Sequence, residues 1–526
     1  MTEPQSDPSR MNGKKLLGAS RSVGGYTLIS RVFGLVRDVV FAQFLGAGAA
    51  ADAFYVAFRI PNFFRRLFAE GAFNIAFVPV LSDYRQHRDH QAVQQLVNRT
   101  AGALGSTLLV FTLVVVAGAP VVATIFAPGF RLDPEKFALT TQMIRITFPY
   151  LLFISLTGMA GAILNAYDRF SAPALTPVLL NLCLISGALI GHFWFEQTVI
   201  ALAWAVFIAG ILQFCFQLPF LARVHLLPRP ELQWSDPGVR RILKLMAPAV
   251  IGASVYQINL LFDTLIASLL PTGSVSWLFY SDRLSELPLG VFGIAIATVI
   301  LPSLSRQRFN EDPRLFSSTL DWANKVILLI GLPASAALIL LALPILATLF
   351  MYGAMGPYDV QMSAGSLRAY AFGLVAFMLI KVLATGYFSR EDTRTPVRIG
   401  IIAMIANMGM NIVLVIIFYR YWNMGHVGLA LATSLAAYLN LGLLYRGLRK
   451  GNAYQPEAGW RLFATKLVAA ILVMCLVILA LSPADEIWLT WSVWQRIGQL
   501  LLVCTAGALS YFSVLYLFGM RPKDLH

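Results

Sequence analysis

Charged side chains recur inside the apolar parts of this 526-residue sequence, where they could bind an anion. Nine basic residues lie within or at the ends of apolar stretches: Arg31, Arg37, Arg59, Arg65, Arg66, Arg99, Arg145, Arg283 and Lys381. Six acidic residues do so too: Asp38, Asp52, Glu70, Asp263, Asp282 and Glu286. Since guanidinium groups donate paired hydrogen bonds to phosphate or carboxylate oxygens, the surplus of positive charge predicts an anion-binding site.

The spacing of these charges predicts that several share one face of a helix. Arg31 and Asp38 are seven residues apart, as are Arg59 and Arg66. Closer pairs at helical spacing are Arg66 and Glu70, Asp282 and Glu286, and Arg283 and Glu286. A charge at the centre of a lone membrane helix costs at least ~2.5 kcal/mol, so we expect a shared hydrated cavity. The alternative is a set of ion pairs that only hold helices together, which would leave no positive surplus.

The composition around these charges is that of a multi-pass membrane protein. Apolar residues make up 58% of the chain and charged residues 13%, against roughly 25% charge in an ordinary soluble domain. This excludes a soluble globular domain and a disordered chain. The four cysteines lie in apolar stretches without a CxxC pair, so neither a disulfide framework nor a zinc site is expected.

Windows of about 20 residues, the length of a helix that crosses ~30 Å of hydrocarbon, identify fourteen apolar segments. They lie near 26–47, 53–82, 95–125, 138–165, 172–191, 198–222, 242–270, 276–303, 324–350, 366–388, 397–418, 426–445, 463–482 and 496–519. The prediction is an all-α polytopic protein with 14 transmembrane helices.

The distribution of Lys and Arg over the loops predicts the orientation. If the N-terminus is cytoplasmic, 26 of the 40 basic residues lie in cytoplasmic loops and tails and five lie on the opposite side. Loops rich in Lys and Arg stay in the cytoplasm, so both termini are expected there. The same asymmetry accounts for a pI near 9.7, and no nucleic-acid partner is expected.

The sequence repeats itself at one fixed offset. Residues 79–82 read PVLS and 302–305 read PSLS, Arg145 matches Arg368, and Pro173 matches Pro396, so that position 79 corresponds to position 302. Two copies of six spans predict two six-helix lobes with parallel orientation around a central cationic cavity, plus two extra C-terminal helices. The predicted parts are an N-terminal cytoplasmic tail (1–25), an N-lobe (26–223), a cytoplasmic linker (224–241), a C-lobe (242–450), the two extra helices (451–519) and a second cytoplasmic tail (520–526).

The sequence has no HExxH pair, Walker A motif or GxSxG elbow. We therefore expect a transporter that is not an enzyme and uses no cofactor. Its energy would come from the membrane potential or from H⁺ or Na⁺, since no ATP-binding motif occurs. Asp263, Asn407 and Asn411 are weak candidates for a cation site, and a packing role for them is the more common one.

Three runs of sequence resemble the MviN or MurJ family of bacterial lipid II flippases. They are SRVFGLVRD (30–38), ADAFYVAFRIPNFFRRLFAEGAFNIAFVPV (51–80) and GSVSWLFYSDRLSELPLGVFGIAIATVILPSLS (273–305). That family belongs to the multidrug/oligosaccharidyl-lipid/polysaccharide exporter superfamily, and the resemblance covers essentially the whole chain. It implies a protein of the bacterial inner membrane that moves lipid II, the undecaprenyl-pyrophosphate-linked peptidoglycan precursor, from the cytoplasmic to the periplasmic leaflet.

The resemblance also implies partners and roles for single residues. The two extra helices would frame a groove for the lipid tail, and membrane lipids and the cell-wall synthesis machinery are further candidate partners. We expect four residues to bind the pyrophosphate: Arg31, Arg37, Arg59 and Arg283. Seven are expected to orient these arginines or to take part in gating: Asp38, Asp52, Arg65, Arg66, Glu70, Asp282 and Glu286.

Three other functions stay open at this point. A flippase for another polyprenyl-linked glycan would keep the arginines and differ only in its sugar contacts. A multidrug or cation antiporter would need an acidic or aromatic cavity, which the positive surplus disfavours. A membrane scaffold without transport activity would need no solvated arginines.

Overall fold

The computed structural model describes residues 8–67, 73–309 and 313–520, which fold into helices with no strand in these ranges. The first helices are α1 (Pro8–Phe44), α2 (Ala49–Phe64), α3 (Phe73–His87), α4 (His90–Ala117), α5 (Ala119–Phe126), α6 (Pro134–Thr147), α7 (Tyr150–Ala166), α8 (Ser171–Trp194), α9 (Thr198–Arg223) and α10 (Pro237–Ser268). A 3₁₀ turn at Pro128–Leu132 precedes α6, and residues 65–67 form a π-helical turn after α2.

The second half follows the same plan. Its helices are α11 (Ser274–Pro288), α12 (Ile294–Phe309), α13 (Pro313–Leu340), α14 (Ala342–Phe350), α15 (Pro357–Phe388), α16 (Arg394–Trp422), α17 (Gly425–Lys450), α18 (Trp460–Leu481), α19 (Asp485–Thr490) and α20 (Val493–Leu517). A π-helical segment at Leu289–Gly293 joins α11 to α12.

The chain divides into two compact units, with the boundary between Leu265 and Ile266 near the C-terminal end of α10. In the first unit, apolar residues of α3, α4, α7 and α9 form a buried core around Phe77 and Ile163. In the second unit, α12, α13, α15 and α17 form a comparable core around Leu320 and Met378. The lobe boundaries derived from the sequence stay a prediction.

The predicted repeat reappears in the helix starts of the two units. Position 90 begins α4 and position 313 begins α13, which is the same offset that relates positions 79 and 302. The first residues of four further pairs differ by this offset: α5 and α14, α6 and α15, α8 and α16, and α10 and α18. In both units a π-helical turn follows the helix that carries the charged motif. It lies at 65–67 in the first unit and at Leu289–Gly293 in the second. The repeat therefore extends to the local geometry of the backbone.

Eleven helical stretches of the described residues are long and apolar enough to cross a membrane. They coincide with eleven of the predicted segments, which confirms an all-α polytopic protein. The other three, near 26–47, 53–82 and 242–270, correspond to α1, to α2 with α3, and to α10. The number of fourteen spans stays a prediction.

Two predicted segments, near 95–125 and 324–350, are each broken into a long and a short helix. The first breaks at Gly118, where Pro120 lies in the opening turn of α5. The second breaks at Leu341, with Pro344 in the opening turn of α14. Proline lacks the backbone N–H that would continue a preceding helix, so it is tolerated best where a new helix begins. Apolar windows do not register such a break.

Candidate functional site

Arg37 and Asp38 of α1 form a buried ion pair that also reaches α8. The Arg37 Nε and Nη2 atoms donate to Asp38 Oδ1 at 2.9 and 2.6 Å, and Nη1 donates to Asn181 Oδ1 at 3.0 Å. The Asn181 amide in turn donates to the carbonyl oxygen of Ser30 at 3.2 Å. Arg37 and Asp38 are only 7% and 4% exposed, so the added bond to Asn181 helps offset their desolvation. The arrangement ties α1 to α8.

A second buried pair joins Asp52 of α2 to Lys136 of α6. The Lys136 ammonium lies 2.9 Å from Asp52 Oδ2, and both side chains are almost fully buried. The same ammonium lies 4.1 Å from the centre of the Phe130 ring, a cation–π contact. Asp133 begins α6 by accepting the backbone N–H of Lys136 at 3.1 Å. This cap fixes the turn from which Lys136 reaches α2.

Two further arginines of the α2 region make polar contacts within the first unit. Arg59 donates from Nη1 to Thr264 Oγ1 of α10 at 2.7 Å. Arg65, in the π-helical turn, donates from Nε to Asn62 Oδ1 at 3.1 Å. Both are half-buried. Arg59 therefore links α2 to α10, while Arg65 is held against its own helix.

Arg31 and Arg66 have no hydrogen bond or ion pair with any residue that the structure describes. Both side chains are half-buried, Arg31 on α1 and Arg66 in the π-helical turn. Glu70, which the spacing places beside Arg66, lies outside the described residues. A half-buried guanidinium that has no partner among these residues suits an incoming anion.

In the second unit, the predicted charges lie on α11 just before its π-helical segment. The Arg283 Nη1 atom lies 3.3 Å from Glu286 Oε2, and the guanidinium carbon lies 5.0 Å from the centre of the Phe279 ring. The side chains of Arg283 and Glu286 are 35% and 40% exposed, so this pair is open to solvent or ligand. Asp282 is half-buried, and its backbone carbonyl accepts the Ser285 hydroxyl at 3.1 Å.

A π-helical turn follows the charged helix in each unit, and a proline precedes each turn. Pro61 lies inside α2 a few residues before the turn at 65–67, and Pro288 ends α11 directly before Leu289–Gly293. Short π-helical segments within helices occur often at functional sites. The first turn contains Arg65 and Arg66, and the second begins six residues after Arg283.

The candidate cation ligands are divided between the two units. Asp263 lies on α10 of the first unit, and Asn259 donates to its Oδ2 at 3.5 Å. Asn407 and Asn411 are buried on α16 of the second unit, one turn apart. Among the described residues, no group of three or more His, Cys, Asp or Glu side chains is arranged to hold a metal ion. A coupling cation stays a prediction.

Sequence reasoning missed Lys136, Asn181 and Thr264 as partners of the predicted charges. Lys136 is one of the five basic residues that the sequence places on the side opposite the N-terminus. It is also far from Asp52 along the chain. Asn181 and Thr264 are single polar residues in apolar helices. The available signal was that a polar side chain in a membrane helix usually finds a partner on a neighbouring helix. It does not say which partner.

The C-terminal helices enclose a cavity of about 870 Å³. Its wall comes from α13, α18 and α20 and includes Leu329, Phe463 and Tyr516. Lys466 also lines it and has no ion-pair partner among the described residues. An apolar cavity of this size with a cation at its wall can hold part of an amphiphile. The groove expected between the two extra helices stays a prediction.

The fold is similar to solved structures of transporters. The chain aligns with the "inward-facing conformation of a multidrug resistance MATE family transporter of the MOP superfamily" at a TM-score of 0.64 and 15% identity, covering 81% of this chain and 94% of the other. At that identity the likeness concerns the fold alone. Together with the arginine-rich helices, it defines the class: a helical multi-pass membrane protein with the fold of the MOP superfamily.

The family is shown by closer matches. The family model described as "Lipid II flippase MurJ" matches residues 41–497. A probable lipid II flippase MurJ of Vibrio cholerae is 48% identical over 519 residues, covering 97% of this chain and 98% of the relative. The lipid II flippase MurJ of Burkholderia cenocepacia is 41% identical, covering 96% and 98%. A solved structure of "Lipid II flippase MurJ, inward closed conformation" matches at a TM-score of 0.79 and 26% identity, covering 95% and 99%. The chain belongs to the MurJ family.

Proposed function

We propose that this chain is a lipid II flippase, which moves the undecaprenyl-pyrophosphate-linked peptidoglycan precursor from the cytoplasmic to the periplasmic leaflet by alternating access. The observation that carries the proposal is the family match over residues 41–497, joined by relatives of that name at 41% and 48% identity over nearly their full lengths. The work is transport, so no catalytic residue or cofactor is assigned.

Arginine is suited to the substrate because its planar fork donates paired hydrogen bonds to phosphate oxygens. Arg31 makes no hydrogen bond with any residue that the structure describes, whereas Arg37 already directs three of its donors at Asp38 and Asn181. We therefore assign the first phosphate contact in the first unit to Arg31, with Arg37 and Arg59 supporting it. Arg283 serves in the second unit, where its guanidinium is about one-third exposed.

The carboxylates act on the arginines rather than on the substrate. Asp38 holds the Arg37 guanidinium through two of its nitrogens, and Glu286 lies beside Arg283. Asp52, through Lys136, fastens α2 to α6, and we assign it to gating. Arg65, Arg66 and Glu70 belong to the same gating group, with Asp282 as an orienting carboxylate.

The membrane potential has the sign needed to drive export of a diphosphate. Each elementary charge that crosses 100 mV is worth ~2.3 kcal/mol, so two negative charges leaving the cytoplasm gain up to ~4.6 kcal/mol. Coupling to H⁺ or Na⁺ would add to this, with Asp263, Asn407 and Asn411 as the candidate ligands. The scheme requires the bacterial inner membrane with both termini in the cytoplasm, and it makes membrane lipids and the cell-wall synthesis machinery neighbours of the transporter.

The test compares three strains, each with a single form of this protein at equal level. The forms are the intact protein, Arg283→Ala and the matched control Arg306→Ala. Arg306 is an exposed arginine of α12 without a partner among the described residues. After the supply of intact protein is stopped, an impermeant reagent that cleaves lipid II reports how much is exposed outside. We expect exposure to collapse in depleted cells and in Arg283→Ala cells, and to persist with Arg306→Ala.

Unchanged exposure after full depletion, in cells without a redundant carrier, would show that the substrate is wrong, and another polyprenyl-linked glycan would be tried next. Loss of exposure on depletion but not in Arg283→Ala would keep the substrate and remove Arg283 from the phosphate site. Efflux of a cationic drug that depends on this protein would favour the antiporter alternative.

A further inference from the structure

The first unit contains a cavity of about 250 Å³ that the proposed transport does not use. It lies among α3, α4, the first turns of α10 and the loop before α10. Phe73, Leu104 and Phe111 contribute to an apolar wall. Trp234 and Leu243 lie at its edge and are 46% and 43% exposed. The cavity is therefore open on the side of the 224–236 loop.

This cavity occupies the same place in the first repeat as the larger cavity does in the second. Val239 and Leu243 line the first cavity, and the residues that correspond to them in the second copy, Leu462 and Lys466, line the other. In each unit the space lies between a long helix, α4 or α13, and the helix that follows α9 or α17, which is α10 or α18. Because the space recurs in both repeats, it is a regular feature of the fold rather than a packing defect.

Two unneutralised cations stand beside the first cavity. Arg240 and Lys244 are exposed, lie one turn apart on α10, and have no hydrogen-bonding or ion-pairing side-chain partner among the described residues. Leu243, which adjoins both on the helix surface, lines the cavity. Neighbouring arginines are paired instead: Arg99 with Asp236, and Arg241 with Asp83 at 2.6 Å. Arg240 and Lys244 therefore place unpaired positive charge beside the cavity, whereas Arg99 and Arg241 do not.

The cavity also has a buried hydroxyl that nothing in the described chain satisfies. Thr100 of α4 is 3% exposed, lines the cavity, and its Oγ1 has no hydrogen-bond partner among the described residues. It follows Arg99, which binds the loop at Asp236, so it lies near the loop end of the cavity. A buried hydroxyl without a partner is costly, and it can donate to an ester carbonyl oxygen.

We propose that this cavity binds one acyl chain of an anionic glycerophospholipid from the leaflet on the side of the 224–236 loop. The phosphate lies against Arg240 and Lys244, and Thr100 donates to the ester carbonyl of the chain. The volume of about 250 Å³ is below the ~300 Å³ at which drug-sized pockets begin, so the cavity holds part of one chain rather than a larger ligand. Basic residues near a membrane surface contribute about fivefold each to binding of an anionic lipid, so the pair accounts for about 25-fold. The site does not depend on which lipid-linked substrate is transported.

Trp234 at the edge of the cavity gives a direct readout. The full-length protein is placed in zwitterionic phosphatidylcholine nanodiscs that contain increasing amounts of phosphatidylglycerol with brominated chains, which quench nearby tryptophans. The contribution of Trp234 is the difference between the intact protein and Trp234→Phe. The variants are Arg240→Gln/Lys244→Gln, the cavity-filling Ala103→Leu, and the control Arg446→Gln/Lys450→Gln. The control removes two exposed basic residues one turn apart at the end of α17.

We expect brominated phosphatidylglycerol to quench Trp234 at a far lower mole fraction than brominated phosphatidylcholine does. The Arg240/Lys244 variant should need about 25-fold more phosphatidylglycerol, the filled cavity should lose the quenching, and the control pair should behave like the intact protein. Equal quenching by the two lipids would overturn the proposal in favour of a cavity that takes any chain. An equal loss in the control pair would overturn it in favour of general surface attraction.

Discussion

Asn98 and Asp321 occupy corresponding positions of the two repeats, and each holds the loop that follows α9 or α17. The Asn98 Oδ1 atom accepts the backbone N–H of Arg229 at 2.9 Å, and its amide donates to Glu231 Oε1 at 3.2 Å. The Asp321 Oδ1 atom accepts the Tyr454 hydroxyl at 2.7 Å and the Trp460 Nε1–H at 2.8 Å. Glu231 and Tyr454 correspond in the same way. The repeat is therefore preserved in its polar interior as well as in its apolar pattern.

Removing the Asp321 carboxylate should destabilise the second unit. Asp321 is fully buried, and Asp321→Ala leaves Tyr454 and Trp460 without this acceptor. The Lys325 ammonium, 2.7 Å from Asp321, keeps only the more distant Glu457 at 3.5 Å. Breaking a buried charged network of this kind costs about 3 kcal/mol or more in the free energy of unfolding. Thermal unfolding of the purified protein in detergent measures the change.

The matched control for that experiment is Asp485→Ala. Asp485 pairs with Arg368 at 2.9 Å, but their side chains are 48% and 43% exposed. An exposed pair contributes about 0–1 kcal/mol, so this variant should unfold close to the intact protein. If both aspartate variants shifted the transition equally, the loop at Asp321 would have no special role.

The same network predicts a loss of stability at alkaline pH. Burial, together with the hydrogen bond that its hydroxyl donates to Asp321, raises the pKa of Tyr454 above the usual ~10 of tyrosine. The folded protein then keeps a proton that the unfolded chain loses, so the stabilisation is complete below about pH 10 and declines as the pH rises further. Tyr454→Phe should be less stable at neutral pH and show a flatter decline between about pH 9 and 11. If the stability of the intact protein and that of Tyr454→Phe declined in parallel as the pH rose, the raised pKa of Tyr454 would be contradicted.

Asp52 and Lys136 should be coupled in stability. Asp52→Asn leaves a buried ammonium without its counter-ion, which costs about 3–5 kcal/mol, and Lys136→Met leaves a buried carboxylate at similar cost. The double variant Asp52→Asn/Lys136→Met removes both charges and should recover most of the loss. A double-mutant cycle from unfolding in detergent measures the coupling. Additive losses would show that the two charges do not act on each other.

Loss of Arg31 and loss of Arg37 should have different effects on lipid II exposure and on stability. Arg31→Gln removes a guanidinium that has no partner among the described residues, so it should lower lipid II exposure while the unfolding transition stays within about 0.5 kcal/mol. Arg37→Gln breaks the buried bonds to Asp38 and Asn181 and should lower both exposure and stability. Asn181→Leu is the comparison variant, which loosens Arg37 without removing its charge. A stable Arg37→Gln protein would assign Arg37 to the substrate alone.

Periodicity and charge counting predicted the helices, the repeat and the set of embedded charges, because each is a property of residues close together in sequence or of a simple sequence match. They did not predict which charges meet. Spacing put Asp38 on a face with Arg31, yet the long Arg37 side chain folds back onto its neighbour and reaches Asn181 on α8. Asp52 likewise pairs with Lys136, which lies in the first turn of α6. Such partners depend on how helices pack, which local patterns do not contain.

The polar loops were the least predictable part of the chain. The NRT triplet at 98–100 fits a glycosylation pattern, but Asn98 is 6% exposed and is occupied by the loop at Arg229 and Glu231. The 224–236 loop contains several charges and no apolar period, so the sequence indicated only a linker. The loop packs against α4 in a defined position because single polar residues there bond to backbone groups.

The packing of this loop against α4 requires a glycine at position 102. A Cβ there would lie 2.1 Å from the carbonyl oxygen of Glu231 and 2.8 Å from its nitrogen, both backbone atoms that cannot rotate away. Gly102→Ala should therefore push the loop off α4 and weaken the bonds that Asn98 and Arg99 make to it. We expect faster limited proteolysis within 224–236, where the Glu231–Leu232 bond offers a site for a glutamate-specific protease, and a loss of about 1–3 kcal/mol in stability.

Gly105→Ala is the control, one turn further along α4. No atom lies within 4 Å of a Cβ at Gly105, and alanine favours a helix over glycine by roughly 0.5–1 kcal/mol, so this variant should be as stable as the intact protein or slightly more so. Its loop should be cleaved at the original rate. If Gly102→Ala were cleaved no faster than Gly105→Ala, the loop would not rest on α4 in the membrane, and the contacts of Asn98 would not hold it there.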